Sequence, residues 1–188
     1  MRRRRERGAV LVETAIVVPI LILLAIGIAE LGLIVRDRQT AVSATRSAAR
    51  VVSSSGDTRL ADYDAIASLA ASLADVDPSD IERIVIFAPD ADGSMPAGCE
   101  LSAVTGICNH YQGSDLSLVA TDFAGTTDCS FGAPDASWCP ISRETRQSVG
   151  PDWIGVNVQL SHHSIAPFLG DRSIADTTVM RLEPRFDL

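Results

Sequence analysis

The sequence predicts an α+β protein carried on a long N-terminal membrane helix. A second helix follows, then a small antiparallel sheet of about three strands with a disulfide-stapled loop region. Three observations predict it. Residues 9–29 form a run of 21 with a single charge, Glu13. Two segments near the C-terminus alternate apolar and polar residues, the period of half-buried strands. All four cysteines, Cys99, Cys108, Cys129 and Cys139, lie beyond the apolar run.

The N-terminal element comes first. Residues 1–8 hold five arginines and one glutamate, net +4. Arginine-rich flanks stay in the cytoplasm, so the N-terminus is expected inside and the remainder outside. As a helix, residues 9–29 extend roughly 31 Å at ~1.5 Å per residue, which matches a hydrocarbon core of about 30 Å. Pro19 is tolerated in a membrane helix but is expected to loosen or kink it. Glu30 is expected to close the span near the outer interface, within reach of water. No second stretch of similar length and apolarity follows, so the chain is expected to span once, in the cell membrane. Glu13 is the costly residue, because an acid inside hydrocarbon is a functional-site hypothesis by default. A secretory signal peptide has the same basic start, and Ala25-Ile26-Gly27 or Gly27-Ile28-Ala29 imitates its cleavage site. Its apolar run is shorter, however, at about 7–15 residues. An uncleaved signal anchor, or a secreted binding domain with no assembly role, gains nothing from Glu13.

Beyond the span the helix is expected to continue to about residue 52, for a total of roughly 65 Å. Leu31, Val35, Val42, Thr45, Ala49 and Val52 recur at helical spacing, and Gly and Pro are absent from Leu33 to Ser55. Its alanines and serines allow close backbone approach, to its own domain or to neighbouring copies. A second helix is expected over 57–74, ended by Asp75-Val76-Asp77-Pro78. Strands are expected at 81–87, 153–161 and 173–182. Residues 89–152, rich in Gly, Pro, Asp and Ser, read as irregular, with a short helix or strand at 116–121. The resulting division is a cytoplasmic basic leader (1–8), a transmembrane helix (9–35), a projecting amphipathic helix (36–56) and an extracytoplasmic α+β domain (57–188).

Charge and cysteine content bound the partners. The chain carries −8, and without residues 1–8 the remaining 180 carry −12. So acidic an exported portion argues against nucleic acid and against anionic membrane surfaces as partners. All 16 basic residues are arginine, which reads as coding bias. About 150 residues after the span suffice for one modest domain. Four cysteines in an oxidising compartment read as two disulfides. Proximity favours Cys99–Cys108 and Cys129–Cys139, though three pairings are possible. Zinc pairs have tighter spacing than these.

With these features the chain resembles the TadE-like minor pseudopilins of the Flp (tight adherence) pilus system. The resemblance rests on Arg7-Gly8 followed by Ala9-Val10-Leu11-Val12-Glu13, on the proline-containing span running into Arg46-Ser47-Ala48-Ala49-Arg50, and on Val179-Met180-Arg181-Leu182-Glu183-Pro184. Residues 89–152 carry none of it. The resemblance implies cleavage by a prepilin peptidase between Gly8 and Ala9. It also implies that Glu13 meets the free N-terminal amine of a neighbouring subunit, so that each charge offsets the desolvation of the other. It further implies other pilin or pseudopilin subunits, the assembly machinery and the lipid bilayer as partners. The residue after the glutamate, usually aromatic in such pilins, is here Thr14.

Other constellations are weaker. Asp90-Ala91-Asp92-Gly93-Ser94 resembles the start of a calcium loop, but Leu101 stands where the twelfth-position acid would be; it reads as an Asx turn. The metal-adhesion motif of a von Willebrand-type domain wants a serine where this chain has Asp92. His162 and His163 are adjacent and point to opposite faces, so they read as a solvated pair rather than a metal site. Trp138 and Trp153 read as core residues. No G-x-S-x-G, P-loop or dinucleotide fingerprint is present. No enzyme activity, cofactor or metal is therefore expected.

Overall fold

The computed structural model describes residues 2–123, 129, 132–166 and 169–184, with side chains from Val10 onward. Helix α1 (Arg2–Ser55) runs 54 residues with Pro19 inside it, about 80 Å of helix. It stops where Gly56 takes φ +59° and donates its N–H to the Val52 carbonyl at 3.0 Å, a left-handed terminator that glycine adopts without a Cβ clash. Helix α2 (Ala61–Ser72) is shorter than expected at both ends. Before it, Thr58 and Ala61 donate to carbonyls three residues back, so turns occupy the first positions of the expected helix.

Four strands form one antiparallel sheet in the order β2-β1-β3-β4. They are β1 (Ile81–Phe87), β2 (Cys108–Tyr111), β3 (Trp153–His162) and β4 (Arg172–Arg181). The strand beyond the three expected is β2. It lies inside the segment expected to be irregular and pairs with the second half of β1, from Ile84↔Tyr111 to Phe87↔Cys108. The other regular elements among the described residues of that segment are three 3-10 turns and a one-turn helix, α3 (Ala120–Phe123). Disulfides join Cys99 to Cys108 and Cys129 to Cys139.

Strand alternation gives the sheet two cores. Ile84 and Ile86 of β1 and Ile154, Val156, Val158 and Leu160 of β3 form one core with both long helices. Into it α1 sends Ala41, Ala44, Ala48, Ala49 and Val52, and α2 sends Ala61, Ala65, Ile66 and Leu69. On the opposite face Val85 and Phe87 pack with the Cys99–Cys108 disulfide. There the Phe87 ring lies over Gly155, where any Cβ would sit 2.2 Å from Phe87 Cζ.

The contact face of α1 differs from the one expected. Thr45, Ala49 and Val52 are buried, but Leu31 and Val35 are 63% and 53% exposed. The buried stripe is mainly alanine, with Thr45 and Val52 beside it; such small side chains allow a helix to approach its neighbours closely. Trp153 is another correction. It is 55% exposed at the start of β3, whereas Trp138 is buried.

Candidate functional site

Helix α1 divides into two halves with different surroundings. From Val10 to Ala25 every side chain is exposed, and this half is long and apolar enough to cross a membrane. The second half is fastened to the head. Ser53 Oγ donates to the Arg181 carbonyl at 2.6 Å, and Glu183 N–H donates to the Ser53 carbonyl. Thr45 Oγ donates to Asp176 at 2.5 Å and accepts from Thr178 at 3.1 Å. Ser47 and Ser68 join α1 to α2. The order of these ties lays α1 alongside β4, running in the same direction.

Glu13 lies on the exposed half among apolar neighbours. Among the described residues it has no hydrogen-bond or ion-pair partner. Its neighbour Thr14 turns its hydroxyl onto the Val10 carbonyl at 2.8 Å, so the helix absorbs that polar group. Gly8 and Ala9 lie on the α1 backbone; the Ala9 side chain falls outside the described residues. The processing roles of Gly8 and Ala9 and the assembly role of Glu13 concern partners, which a single chain does not place.

The junction between the halves holds a cluster that the sequence reading missed. His162, at the end of β3, is 4% exposed rather than solvated. Its Nδ1 lies 2.6 Å from Asp37 and its Nε2 3.1 Å from Glu30. Glu30 also accepts the Ile165 N–H at 3.1 Å and is itself buried, not turned to water. A neutral imidazole has one N–H, so donating to both carboxylates requires the imidazolium. Burial pushes the His162 pKa down, but hydrogen bonds to Asp37 and Glu30 outweigh it and hold the group above its usual value. His163 points the other way and is exposed, bridging Asp80 and Asp171. The signal that could have found the cluster is helical spacing. Glu30 and Asp37 stand seven residues apart, two turns on one face, where one histidine can reach both.

A second polar network lies inside the head. Asp62 of α2 is fully buried and accepts from Asn109 Nδ2 (2.7 Å), Tyr111 Oη (2.8 Å) and Arg143 Nη2 (2.7 Å). Asn109 brackets the Trp138 backbone, accepting its N–H at 2.7 Å and donating to its carbonyl at 2.9 Å. The Arg143 guanidinium stacks 4.2 Å from the Trp138 ring centre. Arg59 pairs with Asp135. Burial raises the Tyr111 pKa well above its usual value, with the Asp62 charge adding to the effect. The network pins β2 and Trp138 to α2; within it Asp135 Oδ1 and the Arg143 Nε and Nη1 are buried without a hydrogen-bond partner among the described residues.

Among the described residues the other polar groups form local turns and ion pairs. A polar cleft of about 260 Å³ beside α1 is lined by Arg36, Asp37, Asp75, Asp77 and Asp80 among others. Asp77 there caps a 3-10 turn through Ser79, while Asp37 and Asp80 meet His162 and His163. Asp90–Ser94 is a turn: Asp92 accepts from Ser94 N–H and Oγ, and Gly93 takes φ +83°. No group of three acidic, histidine or cysteine side chains is placed to hold a metal ion among the described residues.

Comparison with known proteins covers one part of the chain. The family model described as TadE-like protein matches residues 8–50. That match begins at Gly8, takes in Glu13 and Pro19, and ends at Arg50, just past the alanine stripe of α1. No curated protein and no solved structure matches the chain.

Proposed function

We propose that this protein is a membrane-inserted minor pseudopilin, a structural subunit of a Flp-type surface pilus, cut by a prepilin peptidase between Gly8 and Ala9. The observation that carries the reading is the asymmetry of α1. Its first half is apolar, exposed and bears one carboxylate with no partner among the described residues, while its second half is committed to the head. The TadE-like match over residues 8–50 falls on the same element and supports a pilus-associated, structural role rather than catalysis. In this reading the N-terminus is cytoplasmic and the head extracytoplasmic. Partners are other pilin or pseudopilin subunits, the peptidase and the assembly machinery in the membrane.

Glu13 has a defined task in this reading. Cleavage creates an amine at Ala9, and a neighbouring subunit's Glu13 meets it within the bilayer. Each charge alone is costly there, and their pairing offsets the cost. The pair therefore sets the register between adjacent helices more than it adds stability.

N-terminal sequencing of protein recovered from host membranes, with and without active peptidase, tests the reading. A start at Ala9 that depends on the peptidase is expected. A start at Met1 in both strains would make the chain a plain anchor, and a start near residue 30 would make it secreted. With processing established, Glu13→Ala should leave cleavage intact and abolish incorporation into pili.

A further inference from the structure

We propose that the tip of the β3–β4 hairpin, through Ile165 and Leu169, enters the headgroup–acyl boundary of the outer leaflet beside α1. The head would then hold the membrane at two places, one spanning and one peripheral. The proposal rests on reading α1 as the membrane span.

Depth is the first argument. Glu30 stands twenty residues beyond Val10, about 30 Å along the helix, which is the thickness of the hydrocarbon core. The hairpin is fixed at that level, since Ile165 N–H and His162 Nε2 both bond Glu30 at 3.1 Å. Along α1, Ile26 and Gly27, one turn on the membrane side of Glu30, are already half-buried. Cover of the helix therefore starts inside the apolar run rather than beyond it.

Chemistry is the second. Ile165 is 59% exposed and Leu169 39% exposed, and the sequence from Ser164 to Gly170 carries no charge. Two backbone N–H groups among the described residues of the tip have internal partners: Leu169 N–H donates to the Ala166 carbonyl at 2.9 Å and Ala166 N–H to Ser164 Oγ at 3.2 Å. Polar groups near hydrocarbon need such internal partners. Of the flanking charges, His163 is bonded to Asp80 and Asp171, and Arg172 is exposed at the start of β4. Continuity with the exposed apolar half of α1 selects lipid as the occupant. Attraction comes from apolar burial, so it needs no help from the acidic head.

The test places a tryptophan reporter in the full-length chain in liposomes, at low protein density, with lipids carrying a quencher near the top of the acyl chain. The native tryptophans give the baseline: Trp138 is buried, and Trp153 lies nine residues before His162 on β3, roughly 30 Å from the tip. Ile165→Trp is expected to add blue-shifted emission that these lipids quench. Val18→Trp should be quenched more by lipids labelled deep in the chain. Leu101→Trp, on an exposed head loop, should stay unquenched, showing that tryptophan alone does not draw the head down. If Val18→Trp is quenched and Ile165→Trp is not, the hairpin proposal fails while the anchor stands. If neither is quenched, the membrane reading of α1 fails and takes the proposal with it. Blue-shifted but unquenched Ile165→Trp emission would mean that a second copy covers the tip, which also overturns it.

Discussion

Arg143→Met tests the buried network most directly. Arg143 and Asp62 pair at 2.7 Å with both side chains 0% exposed. Removing one partner of such a pair costs about 3–5 kcal/mol, because the other charge is left buried and uncompensated. Two features place this pair at the low end. Asp62 keeps the donors Asn109 and Tyr111. The substitution also removes Nε and Nη1, which are buried without a hydrogen-bond partner among the described residues. A loss of about 3 kcal/mol is expected, a fall in Tm of roughly 6–12 °C for a chain of this size. The methionine stem still covers part of the Trp138 ring, so little of the loss comes from packing. Urea unfolding of the full chain in nanodiscs, followed by circular dichroism, measures it. Adding Asp62→Asn to Arg143→Met should recover part of the loss, because neither position then carries an uncompensated buried charge and the amide oxygen still accepts. A single variant within about 1 kcal/mol of wild type, inside the range of an exposed pair, would refute the reasoning. So would a double variant no better than the single.

Two further perturbations probe other links. Because the folded-state pKa of His162 is raised, its stabilisation is complete below the unfolded value of about 6.5 and fades as pH rises through the folded value. Wild type should therefore exceed His162→Gln in Tm by more at about pH 5.5 than at about pH 9; an equal gap at both would show that the imidazolium does not tie the hairpin to α1. Gly155→Ala places a methyl 2.2 Å from Phe87 Cζ and should cost about 1–3 kcal/mol through overpacking. Pairing it with Phe87→Leu should recover stability, and failure to do so would mean the strain lies elsewhere.

The parts of the fold that sequence displayed are those where one period dominates. Helix α1 could be read because apolar length and helical spacing act over many residues. β3 could be read because Ile154, Val156, Val158 and Leu160 alternate without interruption. What sequence hid depends on approach distance and on long-range pairing. Leu31 and Val35 look more core-like than Ala44 or Ala48, yet the alanines are buried, because close packing of α1 on the sheet selects for small side chains. β2 is Cys-Asn-His-Tyr, a four-residue strand whose helix-side face carries Asn109 and Tyr111. Their polar ends are matched by Asp62, 47 and 49 residues away, and no local pattern announces that. His162 was hidden for the same reason, since the carboxylates that bury it lie more than 120 residues earlier. Within the candidate site, Glu13 was conspicuous because a charge in an apolar run stands out locally, and its partner would lie in another molecule.

The parallel course of α1 and β4 has a mechanical consequence. The ties at Glu30, Asp37, Thr45 and Ser53 are spread over about 35 Å of helix, and each reaches the sheet or the hairpin at its own level. A tensile load drawn along α1 therefore shears all of them together instead of peeling them one after another. Rupture under such a load requires the ties and the alanine seam to yield at once, a high kinetic barrier, whereas a sideways load would open the Glu30 end first. A subunit rooted in a bilayer and pulled from outside would resist best along its own helix axis.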